Sequence, residues 1–253
     1  MTLARDVLGI ARVTRAVADR VAVALVGADP RVRRLTDGRW ALAAAREGAV
    51  PLRNCTFAVV DVETTGTSPG RGDRVTEISV VTLANGRIDV VLDTLVNPER
   101  SIPPFVMSLT RITDEMVRDQ PTFAEIADQV LDAIAGRILV AHNVRFDWAF
   151  LSREMRRTRH LALEGPRLCT VHLARRLIPG LRSRGLDSVA QYFGIEIGER
   201  HRATGDAVAT AQILQKLLDL AAERGATTLD ELQELGRPRR RRKTALPTSV
   251  KEL

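Results

Sequence analysis

Three apolar, β-branched runs between Phe57 and Val96 leave this chain few folds to choose from. Phe57-Ala-Val-Val-Asp-Val is almost continuously apolar, as a strand covered on both faces requires. Val75-Thr-Glu-Ile-Ser-Val-Val-Thr-Leu follows, rich in residues that suit a pleated surface. Asn85-Gly86, a preferred centre for a type I′ hairpin turn, then leads into a return strand over 87–96. The spacing predicts an antiparallel meander.

Beyond Val96 the period lengthens. Thr122 and Glu125 have capping-box spacing for a helix reaching about residue 135. Ile138-Leu-Val-Ala reads as a fourth strand, and Asn143 as the cap of a helix over 144–157. Leu168-Cys-Thr-Val reads as a short fifth strand, with helices over 186–193 and 206–222. A meander followed by β-α-β-α implies an α/β domain over 54–222, a mixed five-stranded sheet flanked by helices.

The flanks differ in composition. In residues 1–53, Leu3, Val7, Ile10, Ala11, Val13 and Val17 recur at near-helical spacing, and Asp37-Gly38 with Trp40 signals a hairpin. Helices followed by a hairpin resemble a winged-helix module, and a packing appendage fits the same residues equally well. Residues 223–253 read as a short helix near 228–235, then a basic tail opening on Gly236-Arg-Pro-Arg-Arg-Arg-Arg-Lys, too polar to order itself. The net charge of +7 favours an anionic partner, nucleic acid first. Two cysteines exclude a disulfide framework and fit a reduced, cytoplasmic setting. No run approaches the roughly 20 apolar residues of a membrane span, so no membrane partner is expected.

Chemistry concentrates in three short strings. In Val60-Asp-Val-Glu-Thr-Thr-Gly, Asp61 and Glu63 are two apart on a strand and face the same side. Two like charges on one half-buried face repel, and a divalent cation with oxygen ligands, such as Mg²⁺, relieves them. Thr64, Thr65 and Gly66 follow at once, offering hydroxyls, backbone N–H groups and room for a close approach. In His142-Asn-Val-Arg-Phe-Asp, Asp147 falls on the first turns of a helix among Trp148, Phe150 and Leu151, and needs a partner there. Phe146 and Phe150 have i, i+4 spacing. In His201-Arg-Ala-Thr-Gly-Asp, Asp206 opens the last long helix, where the dipole favours the ionised acid. His201, on the preceding loop, can take a proton from water near neutral pH.

In order, spacing and flanking residues, these strings resemble the DEDDh (DnaQ-like) 3′→5′ exonucleases, the family of the proofreading ε subunit of bacterial DNA polymerase III and of ribonuclease T. The resemblance implies a ribonuclease H-like fold. It makes Asp61, Glu63, Asp147 and Asp206 ligands of two Mg²⁺ or Mn²⁺ ions, and His201 the general base. It places Val62, Thr64, Thr65, Gly66, His142 and Phe146 against the terminal nucleotide, with Ile112 of Leu-Thr-Arg-Ile-Thr-Asp stacking on its base and Thr113 capping a helix. The sister group with a catalytic tyrosine four residues before the last acid does not match, because Arg202 stands there and the single tyrosine is Tyr192. The implied substrate is a single-stranded 3′ end, of DNA before RNA, with a DNA polymerase or another replication or repair protein as partner. An RNA-trimming enzyme of the same fold and a polymerase-associated scaffold are the alternatives. All five catalytic residue types being present argues against a dead-site binding module.

Overall fold

The computed structural model describes residues 32–34, 40–42, 50–198 and 200–237. The chain divides into two units, Met1–Val50 and Pro51–Leu253. In the first, the described part is an antiparallel ribbon of β1 (Val32–Arg34) and β2 (Trp40–Leu42), with Arg34 opposite Trp40. The expected N-terminal helix, the Asp37-Gly38 turn and the basic tail from residue 238 lie outside the described residues.

The second unit is built on one five-stranded sheet of order β5-β4-β3-β6-β7. Its strands are β3 (Thr56–Thr64), β4 (Val75–Ala84), β5 (Arg87–Leu95), β6 (Ile138–Ala141) and β7 (Arg167–Cys169). β3, β4 and β5 form the expected meander, and β6 and β7 add in parallel. Asn85 and Gly86 join β4 to β5 with φ of 51° and 78°, both positive as a type I′ turn demands. β3 lies at the centre, so Phe57, Ala58, Val59 and Val60 are all buried. β5 is the edge strand and stays largely exposed, carrying Arg87, Asp89 and Asp93 as guards against further pairing. The sheet is therefore mixed and flanked by helices, as expected.

The helices are α1 (Pro104–Thr110), α2 (Asp114–Arg118), α3 (Phe123–Ile134), α4 (Val144–Arg159), α5 (Thr170–Leu177), α6 (Leu186–Phe193), α7 (Ala203–Glu223) and α8 (Leu229–Gly236). The Glu125 carboxylate accepts the Thr122 N–H at 2.7 Å and the Thr122 hydroxyl at 2.9 Å, and the capping box is complete. Thr113 caps α2 by accepting the Met116 N–H at 3.3 Å. Asn143 holds the N-cap position of α4, but at φ 80°, and its side chain makes no capping bond. α7 packs on β3 and β4 through a face of small residues, Ala203, Ala207 and Ala211, which lets the helix approach the sheet closely.

Three elements depart from the sequence reading. α1 begins on the second of two prolines and is too short to show a period. The expected fifth strand ends at Cys169, and Thr170 opens α5. α7 starts three residues earlier than expected, which moves Asp206 inside its first turns. α8 docks on the same unit: Leu232 is fully buried, Leu52 N–H donates to Thr227 O at 2.9 Å just before the helix, and Arg176 Nε donates to Leu235 O at 3.3 Å. Cys55 and Cys169 are both free and buried. No helix among the described residues is long and apolar enough to cross a membrane.

Candidate active site

The first acids come from the C-terminal end of β3. Asp61 pairs across from Ser79 and Glu63 from Glu77, and the register slips between Glu63 and Thr64. Such a bulge bends the strand and re-aims the side chains beside it. Val62, between the two acids, points the other way into the core.

The turn that follows is shaped by its own side chains. Thr64 Oγ1 donates to Gly66 O at 2.6 Å, and Thr65 Oγ1 accepts the Arg74 N–H at 3.0 Å. Both hydroxyls expected to meet a nucleotide are thus engaged with the backbone, and Thr65 is 1% exposed. Gly66 is required for space: a Cβ there would overlap the carboxylate of Asp73, which accepts the Ser68 N–H at 2.9 Å. Arg74 Nε donates at 2.6 Å to buried Glu154 on α4, fastening this turn to the helix that carries Asp147.

Asp147 sits in the first turn of α4 and is buried. Phe146 and Phe150 pack with ring centroids 5.0 Å apart, as their spacing predicts. Burial pushes the Asp147 carboxyl up to about 7, against hydrogen bonds from the backbone N–H groups of Asp147 and Val62. Glu63 is likewise pushed up to about 7, by burial first and then by Asp206 and Glu77. Asp61 lies well above the carboxylate range, through burial and the charges of Asp147, Glu63 and Asp206.

The third string completes the cluster. His201 stands at φ 61°, in the left-handed region, which costs a non-glycine residue of order 1–3 kcal/mol unless its surroundings impose it. Arginines on both sides do so. Arg200 pairs with Asp206 and, through Nε at 2.7 Å, with Asp187 on α6. Arg202 forks onto buried Glu77 with Nε at 3.0 Å and Nη2 at 2.6 Å, while the same carboxylate accepts the Ala203 N–H at 2.8 Å, at the start of α7. Asp206 is raised by burial in spite of Arg200 and His201.

Ligand atoms of Glu63, His201 and Asp206 all lie within 4.8 Å of one another. Asp206 Oδ1 is buried and has no hydrogen-bond partner among the described residues. Hard oxygen donors, mutual repulsion and an orphaned carboxylate oxygen are what a divalent cation relieves, so the residues fit one. The geometry thus draws Asp61, Glu63, Asp147, His201 and Asp206 into one charged cluster, as their couplings show.

Other expected contacts fall elsewhere. Ile112 is 0% exposed, packed with Ile102, Val106 and Val117, and cannot stack on a base without unpacking that cluster. The exposed apolar groups of its segment are Phe105 and Leu109, one turn apart on α1. His142 has both ring nitrogens taken: Nε2 lies 2.8 Å from Arg184 O and Nδ1 2.8 Å from the Thr170 hydroxyl. Nε2 must donate to that carbonyl, and burial, which lowers the imidazole's pKa, favours a neutral ring whose work is to join β6, α5 and the loop before α6. Sequence reading passed over Glu77, Asp187 and Arg200. Nothing local marks the two acids, whereas Arg200 could have been suspected from its place beside His201.

The exonuclease family model of the ribonuclease T type matches residues 58–214. The 3′-5′ exonuclease DinG of Bacillus subtilis is 34% identical over 179 residues, covering 71% of this chain and 19% of that protein. A DNA polymerase III subunit epsilon-like protein of Rhodobacter capsulatus is 39% identical over 196 residues, covering 74% and 28%. This chain thus spans under a third of the length of these curated relatives. A solved structure of Exonuclease X in complex with 5′ overhanging duplex DNA is 28% identical, with a TM-score of 0.56, covering 71% of this chain and 99% of that one. The chain belongs to this exonuclease family.

Proposed function

We propose that this exonuclease-family chain removes nucleotides one at a time from single-stranded 3′ ends of DNA, releasing nucleoside monophosphates. Asp61, Glu63, Asp147 and Asp206 hold two divalent cations, Mg²⁺ or Mn²⁺, and His201 is the general base. The observation that carries this reading is the convergence of Glu63, His201 and Asp206 about the unpartnered Asp206 oxygen. Bound cations would neutralise the acids, acidify water and stabilise charge on the phosphoryl oxygens. The residues do the rest. His201 accepts the proton of the attacking water and is held for it by the flanking Arg200 and Arg202 pairs. The Val62–Gly66 segment presents backbone to the terminal nucleotide, and Phe105 and Leu109 take the base-contacting role first assigned to Ile112. DNA is favoured because relatives are named for DNA polymerase III and Exonuclease X was solved on DNA. The same names favour a polymerase or another replication or repair protein as partner. The catalytic unit is residues 54–222, extended by the docked α8, with residues 1–53 a separate module and the basic tail an electrostatic tether.

The test compares 3′-extended single-stranded DNA, duplex DNA and RNA, each labelled at the 5′ end, with Mg²⁺ and with Mn²⁺. The expected outcome is a ladder shortening from the 3′ end, fastest on single-stranded DNA and abolished in Asp206→Asn. Faster RNA shortening overturns the substrate preference, and an inert wild-type chain overturns the exonuclease reading.

A further inference from the structure

Beside the acid cluster, the turn between α1 and α2 faces Gly198, Arg200 and Arg202 across a cavity of about 450 Å³. Its described lining is Arg111, Gly198, Arg200 and Arg202. We propose that this cavity docks a phosphodiester of the substrate strand other than the one being cleaved, with Arg111 as its principal ligand. The proposal rests on the exonuclease reading above and adds a second point of attachment for the strand.

The lining groups are not equivalent. Arg200 is tied to Asp187 and Asp206, and Arg202 to Glu77, so both guanidinium groups are fixed from behind by carboxylates. Arg111 is exposed, and among the described residues its side chain has neither an ion pair nor a hydrogen bond. It also occupies the C-cap of α1 at φ 60°, a position where glycine is the default. A long cation is therefore held in a conformation that a smaller residue adopts more easily, at the mouth of a cavity already lined by two others. The carboxylates behind Arg200 and Arg202 hold those two in place, so the exposed Arg111 supplies the charge that an anion in that space would meet first. The volume falls in the range of ligand pockets and admits a nucleotide unit. Guanidinium groups match phosphate oxygens with paired N–H donors. The cavity shares Arg200 with Asp206, so a strand whose scissile bond lies at the acids has a neighbouring phosphate within reach of it. Phosphate carries no sequence information, so the contact positions the strand and does not select bases.

The test is steady-state hydrolysis of a single-stranded oligonucleotide by the full chain with Mg²⁺, over a salt series. Arg111→Gln should raise KM roughly five- to tenfold with kcat within about twofold, and flatten the slope of log KM against log salt by about 0.7, one phosphate contact on a single strand. Arg111→Gly suits the positive φ and guards against misfolding: it should raise KM as much, whereas Arg111→Lys should recover part of the loss. An unchanged KM and salt slope in both neutral variants overturns the proposal. So does a variant that loses only product inhibition by a nucleoside monophosphate, which would make the cavity a site for free product. A wild-type chain that hydrolyses nothing indicts the exonuclease reading instead, and the two failures are thereby distinguished.

Discussion

The acid cluster makes the metal-free protein less stable as pH rises, and the size of the effect can be worked out. Glu63 moves from its usual 4.5 to about 7 and Asp147 from 3.8 to about 7. A carboxyl raised in the folded state costs nothing below its unfolded pKa, where it is protonated in both states. The penalty grows as pH climbs through 4 to 7, because the folded state must then ionise a group that the unfolded chain has already ionised. At about 1.4 kcal/mol per unit, each carboxyl destabilises the fold by about 3–4 kcal/mol above pH 7. About two units of each shift lie above pH 5, so between pH 5 and pH 8 the pair together costs about 5 kcal/mol. For a unit of this size that is a fall of roughly 10–15 °C in Tm between pH 5 and pH 8. The assay is calorimetry in a chelator, comparing wild type with Asp147→Asn. The two should melt nearly together at about pH 3.5, where Asp147 is largely protonated in the folded and unfolded states alike. The variant should melt about 10 °C higher at pH 8, by the same conversion. Mg²⁺ at pH 8 should raise the wild type and close most of that gap. A gap of equal size at both pH values would refute the argument, since the amide would then be acting through packing rather than charge.

Three further outcomes follow from named contacts. Glu77→Ala removes the acceptor shared by Arg202 and the Ala203 N–H, so urea denaturation should show a loss of about 2–4 kcal/mol, with a lower kcat because the His201 loop hangs from that pair; wild-type midpoint and rate together would discard the clamp. His201→Ala should lose about 10²–10⁴-fold in kcat while calorimetric Mg²⁺ affinity holds within a few-fold, and a rate within tenfold of wild type would remove it as general base. Gly66→Ala should cost about 1–3 kcal/mol through overlap with Asp73; an undiminished cost in an Asp73→Ala background would show that the overlap is not the cause.

The parts legible in the sequence are those that local chemistry fixes. β3 to β5 announce themselves because a central strand must be apolar throughout and a type I′ turn demands Asn-Gly. The five catalytic candidates are legible because their spacing places them at element ends. Long-range competition decided the rest. Asp206 could be placed on a helix terminus, but no local rule says that the fold buries it beside Arg200 and Glu63. An apolar contact near residue 112 was anticipated, but α1 is too short for its periodicity to show that Phe105 and Leu109 face out while Ile112 faces in. The hydroxyls of Thr64 and Thr65 carry donors and acceptors in any conformation, and only the folded turn shows that backbone groups claim them.

The support of His201 lies furthest from what a sequence can show, and it bears on where the site is vulnerable. Glu77 and Arg202 are 125 residues apart, and Asp187 reaches the loop from a different helix. The backbone at His201 is in a region that the residue does not choose for itself, so its geometry is imposed by charge pairs whose acids belong to β4, α6 and α7. Asp187 lies on the exposed surface, where an ion pair by itself contributes little to stability. Its loss should therefore scarcely alter the fold, yet it leaves Arg200 held by Asp206 alone on one side of the candidate base. Stability and activity should then separate by residue: Glu77→Ala, at a buried acid that caps α7, should lower both the urea midpoint and kcat, while Asp187→Ala should lower kcat with the midpoint held.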